Sequence, residues 1–326
     1  MIAGIDGGGT STKVELRDAD NRLIRRMAFG PFNISAVGEA GVRSVLRELC
    51  AAADVREITS LCVGGAGVSF AGLRELLLDE LGAHGFAGGL TLCSDFEIAL
   101  RGAMDGPGGI LIAGTGSVAF GRNAAGESAR VGGWGHLIDD VGSGYALGRD
   151  ALAAAVQTGD GRMQAHALRA AVLHQIGGQG TPDILNYVYY SGRDKSAVAA
   201  LASCVLSGAA EGDDACREIL SRGAGELTRI VRALAQQLSM ERPRVALLGG
   251  LLQNDTPYAQ IVRQQLAAVC EPVAPAHDAL WGAAQLAYEG KASGMRQSAG
   301  NGRVGGRFPA LCVAGESEET GRIPGE

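Results

Sequence analysis

Asp6-Gly7-Gly8-Gly9-Thr10 stands near the start of the chain between two runs of strand-forming residues. Successive glycines in a turn let backbone N–H groups face a single point, and a threonine hydroxyl adds another donor, so the segment can cradle a phosphate. It joins strand to strand, unlike the Walker loop and the dinucleotide fingerprint, both of which open a helix. A tight turn without a ligand is the other reading of these residues taken alone. A second segment of the same kind, Gly114-Thr115-Gly116-Ser117, follows about a hundred residues later and favours the phosphate reading. Two hydroxyl-bearing glycine loops facing one cleft can clasp a polyphosphate from both sides.

Three acids could serve such a site. Asp6 ends the first apolar run beside the first loop, where a carboxylate could hold Mg²⁺ through water or stabilise a turn as an Asx residue. Asp95 follows the apolar run Leu90-Thr91-Leu92 and leads an apparent helix from Phe96 to Met104. It can reach into a cleft as a general base or cap the helix. Gly132-Gly133-Trp134-Gly135-His136 and Asp139-Asp140-Val141-Gly142-Ser143-Gly144 join an aromatic plate, two acids and five glycines. That composition suits a sugar, because an indole covers an apolar sugar face while carboxylates take paired hydroxyls. Trp134 reads equally as core filler and His136 as a structural histidine. One of the two acids should enter the cleft, and the other can cap the helix beginning near Gly144.

The elements that must hold these groups follow from periodicity. Residues 1–30 read as three strands, with hairpin chemistry at Asp18-Ala19-Asp20-Asn21. Val42, Val45, Leu46 and Leu49 recur at helical spacing, and Leu61-Cys62-Val63 and Leu90-Thr91-Leu92 read as buried parallel strands. The first half is therefore β-β-β-α-β-α-β. At Gly106-Pro107-Gly108-Gly109 the punctuation thickens and the opening theme returns as Ile110-Leu111-Ile112-Ala113 running into the second glycine loop. Two strand–glycine–strand units suggest a structural duplication. A helical stripe from Cys216 to Leu238 and a buried strand Val245-Ala246-Leu247-Leu248 ending in Gly249-Gly250 complete the second half. The expected division is a first domain of residues 1–106, a second of 107–291 whose last helix can pack back on the first, and a flexible Gly/Ser/Arg/Glu-rich tail over 292–326.

Composition narrows the class. The chain has 326 residues, enough for two domains with a cleft between them, and 51 glycines, roughly twice the usual share, which implies many tight turns. A net charge of −6 offers no general positive field for nucleic acid or an anionic membrane. No basic leader or long apolar stretch is present, so a cytoplasmic protein is expected. Seven cysteines are scattered singly without a CxxC pair and read as reduced thiols, mostly core filler.

Taken together, Asp6 to Thr10, Ser94-Asp95, Gly114 to Ser117, Gly133 to His136 with Asp140 to Ser143, and Leu248-Gly249-Gly250 occur in an order and spacing that resembles the N-acetylglucosamine kinases. Those enzymes belong to the BadF/BadG/BcrA/BcrD-type ATPases of the actin/hexokinase superfamily, and the resemblance spans about residues 1–290. It implies an α/β fold of two ribonuclease-H-like domains closing over ATP and an amino sugar. It assigns Gly7, Gly8, Gly9 and Thr10 with Gly114, Thr115, Gly116 and Ser117 to the ATP phosphates, and Asp6 to magnesium. Asn33 matches a sugar-hydroxyl ligand, Asp95 the catalytic base, Gly133, Trp134 and Gly135 the wall of the sugar pocket, and Asp140 its second carboxylate. Ala224, Gly249, Gly250 and Gln253 fall where the family wraps adenosine. The chain departs from the pattern at Val141, where many relatives carry glutamate, which bears on the choice of sugar and on the metal network.

The resemblance implies transfer of the γ-phosphoryl group of ATP to the 6-hydroxyl of an amino sugar, N-acetylglucosamine first, glucosamine next and N-acetylmuramic acid behind them. Related kinases often pair as homodimers, although no stripe in this chain identifies an interface. Three rival readings are open. An ATPase activator of a reductase or dehydratase would need cysteines for an iron–sulfur cluster in the second glycine segment, where this chain has Trp134. A sugar-responsive regulator would carry a DNA-binding extension, whereas this chain starts at its first strand. A non-catalytic metabolite-binding domain would show no turnover.

Overall fold

The computed structural model describes residues 1–65 and 67–292. The expected flexible tail, with Cys312, lies outside the described residues apart from Ala292 itself. In the first half, β1 (Ile2–Gly7), β2 (Thr12–Arg17) and β3 (Leu23–Phe29) form an antiparallel meander. Then follow α1 (Ile34–Ala52), β4 (Ser60–Gly65), α2 (Leu73–Ala83), β5 (Gly89–Cys93) and α3 (Asp95–Ala103). β4 pairs parallel with β1, and β5 parallel with β4, giving the sheet order β3-β2-β1-β4-β5.

The second half repeats that plan with a long helical insertion. β6 (Gly108–Ala113), β7 (Ser117–Arg122) and β8 (Ser128–Gly132) form its meander. The helices α4 (Gly144–Gly159), α5 (His166–Ile176), α6 (Thr181–Leu185), α7 (Lys195–Ala200), α8 (Ala202–Glu211) and α9 (Asp214–Gln237) precede β9 (Arg244–Leu248). After β9 come α10 (Gly250–Gln253), α11 (Pro257–Leu266), β10 (Glu271–Val273) and α12 (Ala279–Ala292). The sheet order β10-β9-β6-β7-β8 is that of the first sheet read from the other edge, so the glycine-loop repeat marks a true repetition of topology. This is the α/β pair of ribonuclease-H-like sheets that the motifs imply.

The strand patterns explain the layers. β1 and β4 are apolar on both faces because both faces are covered. One face packs with Val42, Leu46, Leu49 and Leu77 of α1 and α2, while Ile2 and Cys62 on the other meet Ile98 of α3 and Ala283 and Ala287 of α12. α12 thus leaves the second sheet and closes the first. Small residues let it approach: a methyl group on Gly4 would overlap the Ala284 backbone, and one on Gly282 the Ile98 carbonyl. Ser60 Oγ donates to Ala287 O at 2.7 Å, and Arg101 Nη2 to Glu289 Oε1 at 2.7 Å. On β2, Glu15 is fully buried and is paired with Arg17 and, at 2.7 Å, with Arg26. No helix among the described residues is long and apolar enough to cross a membrane.

Candidate active site

Parallel pairing brings the C-terminal ends of β1, β4 and β5 to one edge, with Asp6 level with Gly64 and Gly64 level with Cys93. The first glycine loop leaves that edge and closes through Gly8 N–H donating to Ser11 O at 3.0 Å, which presents Gly9 and Thr10 to solvent. Phe32 N–H donates to Gly8 O at 3.0 Å and its ring packs on Gly7, so the Pro31-Phe32-Asn33 segment is held beside the loop. Asn33 Oδ1 caps α1 by accepting Ser35 N–H at 3.1 Å. The cap engages the oxygen of the carboxamide and leaves its NH₂ group to serve as the donor.

Asp95 is not the cap of its helix. Ser94 holds that position, accepting Glu97 N–H at 3.2 Å while Glu97 Oε2 takes Ser94 N–H at 2.8 Å, a closed capping box. Asp95 is therefore the first helical residue, with Oδ1 accepting Phe96 N–H at 3.1 Å. Burial holds its carboxyl above the ordinary aspartate value, opposed by the N–H groups of Phe96 and Asp95 and by the Arg130 charge. Asp6 is raised as well, first by burial, with Lys13 opposing and Asp95 and Asp278 reinforcing.

Among the described residues no group of three or more His, Cys, Asp or Glu could hold a metal ion. The donor set nevertheless fits Mg²⁺, which is bound through one or two carboxylates with water and substrate phosphates completing its shell. Asp6, partly buried and facing two like charges, gains most from such a cation.

The second glycine loop is built at the corresponding edge of the second sheet. Gly144 N–H donates to Gly114 O at 2.7 Å and Tyr145 N–H to Thr115 O at 3.2 Å, so the start of α4 is latched onto the loop. Ser117 Oγ donates to Val141 O at 2.6 Å, so the residue at the departure from the family pattern supports the loop through its backbone. Gly249 follows β9 with φ +90° against the Ala113 carbonyl, and it places Gly250 and the exposed Gln253 beside the loop.

Three expectations for this region are corrected. Neither acid of Asp139-Asp140 caps α4, because Ser143 does so by accepting Ala146 N–H at 3.2 Å. Asp139 Oδ2 instead accepts Trp134 N–H at 3.1 Å, and Asp140 lies against Gly116 and accepts Ser117 N–H at 3.4 Å. With 5% exposure, Asp140 braces the second glycine loop from beneath instead of lining an open sugar pocket. Ala224 is also displaced from its expected role: it is fully buried in the core of the second sheet and has no surface to offer adenosine.

Trp134 is 51% exposed, which excludes core filler. Arg130 on β8 was not singled out from the sequence. Its guanidinium lies 4.6 Å from the Trp134 ring centroid and 5.2 Å from that of Phe96, the neighbour of Asp95. Phe96 also stacks on Phe120 of β7 at 5.9 Å, and Arg122 Nη2 meets Glu97 Oε1 at 3.3 Å. β7 and β8 of the second sheet thus lie over the first turn of α3, joining Asp95 to the Trp134 turn. A groove of about 940 Å³ lined by α5 and α8 residues, His174 and Cys204 among them, holds none of these groups.

The chain is similar to known sugar kinases. The chain is 35% identical over 262 residues to the N-acetylmuramic acid/N-acetylglucosamine kinase of Clostridium acetobutylicum, covering 78% of this chain and 86% of that protein. It is 28% identical to the glucosamine kinase GspK of Vibrio cholerae, over 88% of this chain and 95% of that one. A solved structure from Chromobacterium violaceum, provisionally assigned as an N-acetylglucosamine kinase, superposes with a TM-score of 0.67 at 28% identity, covering 87% of this chain and 98% of that one. Residues 3–287, which span both sheets and both glycine loops, match the model of one family: the chain belongs to the BadF/BadG/BcrA/BcrD ATPase family.

Proposed function

We propose that the chain is an ATP-dependent kinase that phosphorylates the 6-hydroxyl of an amino sugar, N-acetylglucosamine first and glucosamine next. The observation that carries this reading is the setting of Asp95. Ser94 relieves it of capping, burial raises its proton affinity, and it lies between the field of Asp6 and the Arg130–Trp134 plate. The identity with the named Clostridium acetobutylicum kinase supports the same reading and adds N-acetylmuramic acid to the substrates to be tried.

Phosphoryl transfer asks mainly for in-line positioning and charge neutralisation. The loops Gly7 to Thr10 and Gly114 to Ser117 hold the ATP phosphates, the donors being the amides of Gly9, Thr10, Thr115 and Gly116 and the two threonine hydroxyls, while Gly8 and Ser117 spend their N–H groups on Ser11 O and Asp140 and so fix the loops. Gly249, Gly250 and Gln253 lie toward adenosine. Asp6 would hold Mg²⁺, which would supply positive charge to the phosphates. Trp134 covers the apolar face of the sugar, flanked by Gly133 and Gly135, and the Asn33 carboxamide donates to a hydroxyl. As the 6-oxygen bonds to the γ-phosphorus and the bond to ADP breaks, Asp95 takes the hydroxyl proton. Closure of the two sheets over the substrates excludes water and limits hydrolysis.

The test is ADP release across a panel of amino sugars and hexoses, with and without Mg²⁺. Release that depends on both an N-acetylated or free amino sugar and Mg²⁺ is expected. Release indifferent to sugar, or none with any sugar, would overturn the proposal.

A further inference from the structure

We infer that Arg130 is a positioning residue for sugar phosphorylation: its guanidinium, wedged between the Trp134 and Phe96 rings, ties the sugar-facing turn of the second sheet to the helix that presents Asp95. The inference rests on the kinase reading above and gives that site a part the motifs do not include.

The turn needs such a tie. Gly132, which ends β8 opposite Val118, and Gly133 and Gly135 beyond it have φ of +78°, +75° and +102°, left-handed backbone that favours glycine, and Trp134 stands half exposed between Gly133 and Gly135. Arg130 Nε donates to Gly132 O at 3.1 Å, and Nη2 donates to Gly133 O. The edge of the guanidinium thus fixes the turn, while its faces meet the indole at 4.6 Å and the Phe96 ring at 5.2 Å. Phe96 adjoins Asp95 in the chain, and its N–H binds Asp95 Oδ1. A continuous series of contacts therefore runs from the plate that would carry the sugar to the carboxylate that would take its proton. Only a planar, multiply donating cation can hold two carbonyls and stack at once, which lysine cannot do. Where reacting atoms must be placed within a fraction of an ångström, a misplacement of about 1 Å can reduce rate on the order of 10²-fold.

The full chain carrying R130M or R130K is compared with the parent for kcat and for the KM of sugar and ATP separately. We expect R130M to raise the sugar KM at least about tenfold and lower kcat, with the ATP KM within about twofold, and R130K not to restore either. A second readout needs no turnover. Trp134 and Trp281 are the two tryptophans of the chain, so in a W281F background the emission reports on Trp134 alone, and R130M or R130K should shift it. Sugar kinetics within twofold of the parent, a parallel loss in sugar and ATP parameters, or unchanged Trp134 emission would each overturn the inference. If R130M does not fold, R130K supplies both measurements. A parent that phosphorylates no sugar while its Trp134 emission still responds to R130K refutes the kinase reading and leaves the tie between the turn and α3 standing.

Discussion

Replacing Asp95 with asparagine separates chemistry from structure at the centre of the proposed site. The amide keeps an oxygen where Asp95 Oδ1 accepts Phe96 N–H at 3.1 Å, and the Ser94–Glu97 capping box is untouched, so the start of α3 should survive. What disappears is the ability to accept a proton. General-base catalysis contributes roughly 10²–10⁴-fold, which at about 1.36 kcal/mol per tenfold corresponds to a barrier increase of about 2.7–5.5 kcal/mol. Stability should move the other way. Burial raises the carboxyl of folded Asp95 above its ordinary value of 3.8. The associated stabilisation is fully present below the unfolded value and is lost as pH rises through the folded one. At neutral pH the ionised group is therefore a burden that asparagine removes, so Asp95→Asn should melt no lower than the parent at pH 7 and lose any advantage toward pH 3.8. Coupled ADP release over a range of sugar concentrations, run against pH, should show the parent losing kcat/KM in acid through a value above the ordinary one, and the variant without that limb. A variant kcat within tenfold of the parent, or a fall in melting temperature at pH 7, refutes the reasoning.

Other substitutions probe the framework around that acid. Asp140→Ala removes both the charge and the acceptor beneath Gly116 and Ser117 N–H. A charge-assisted bond of about 1.5–3 kcal/mol predicts an ATP KM raised roughly ten- to a hundredfold with the sugar KM unchanged, read from initial rates. Gly282→Ala drives a methyl group into the Ile98 carbonyl and should cost about 1–3 kcal/mol in urea unfolding, with a midpoint equal to the parent as the refuting result. Glu15→Gln leaves Arg17 and Arg26 without their shared carboxylate. Losing one member of a buried pair costs about 3–5 kcal/mol, and the lower end is expected because Arg26 remains half in water; thermal melting measures it.

Much of this architecture is written in local patterns. The two meanders, the parallel strands and the stripe of α9 follow from alternation and helical spacing, because burial on one or two faces imposes those periods on nearby residues. Two further points were within reach of local signals. The Ser94-x-x-Glu97 spacing announces a capping box and so frees Asp95, and Ala224 falls on the same stripe as Leu220, Leu227 and Val231, which predicts its burial. Asp140 and Arg130 were not legible, because their partners lie far along the chain. Asp140 answers to a loop 23 residues earlier, and Arg130 to the Phe96 ring on the other sheet's helix. Such side chains receive their roles from tertiary packing, which no periodicity of one segment records.

The return of α12 to the first sheet also constrains the order in which the molecule can be assembled. Ile2, Cys62 and Ile98 emerge early from the ribosome, yet their cover, Ala283 and Ala287, is among the last of the described residues to be synthesised. Until then one face of the amino-terminal half is covered only in part, by α3, and final closure must join segments some 280 residues apart, a slow event that invites aggregation or chaperone capture meanwhile. Expressed alone, residues 1–106 should be insoluble for that reason, and supplying the 279–292 helix in trans should rescue them.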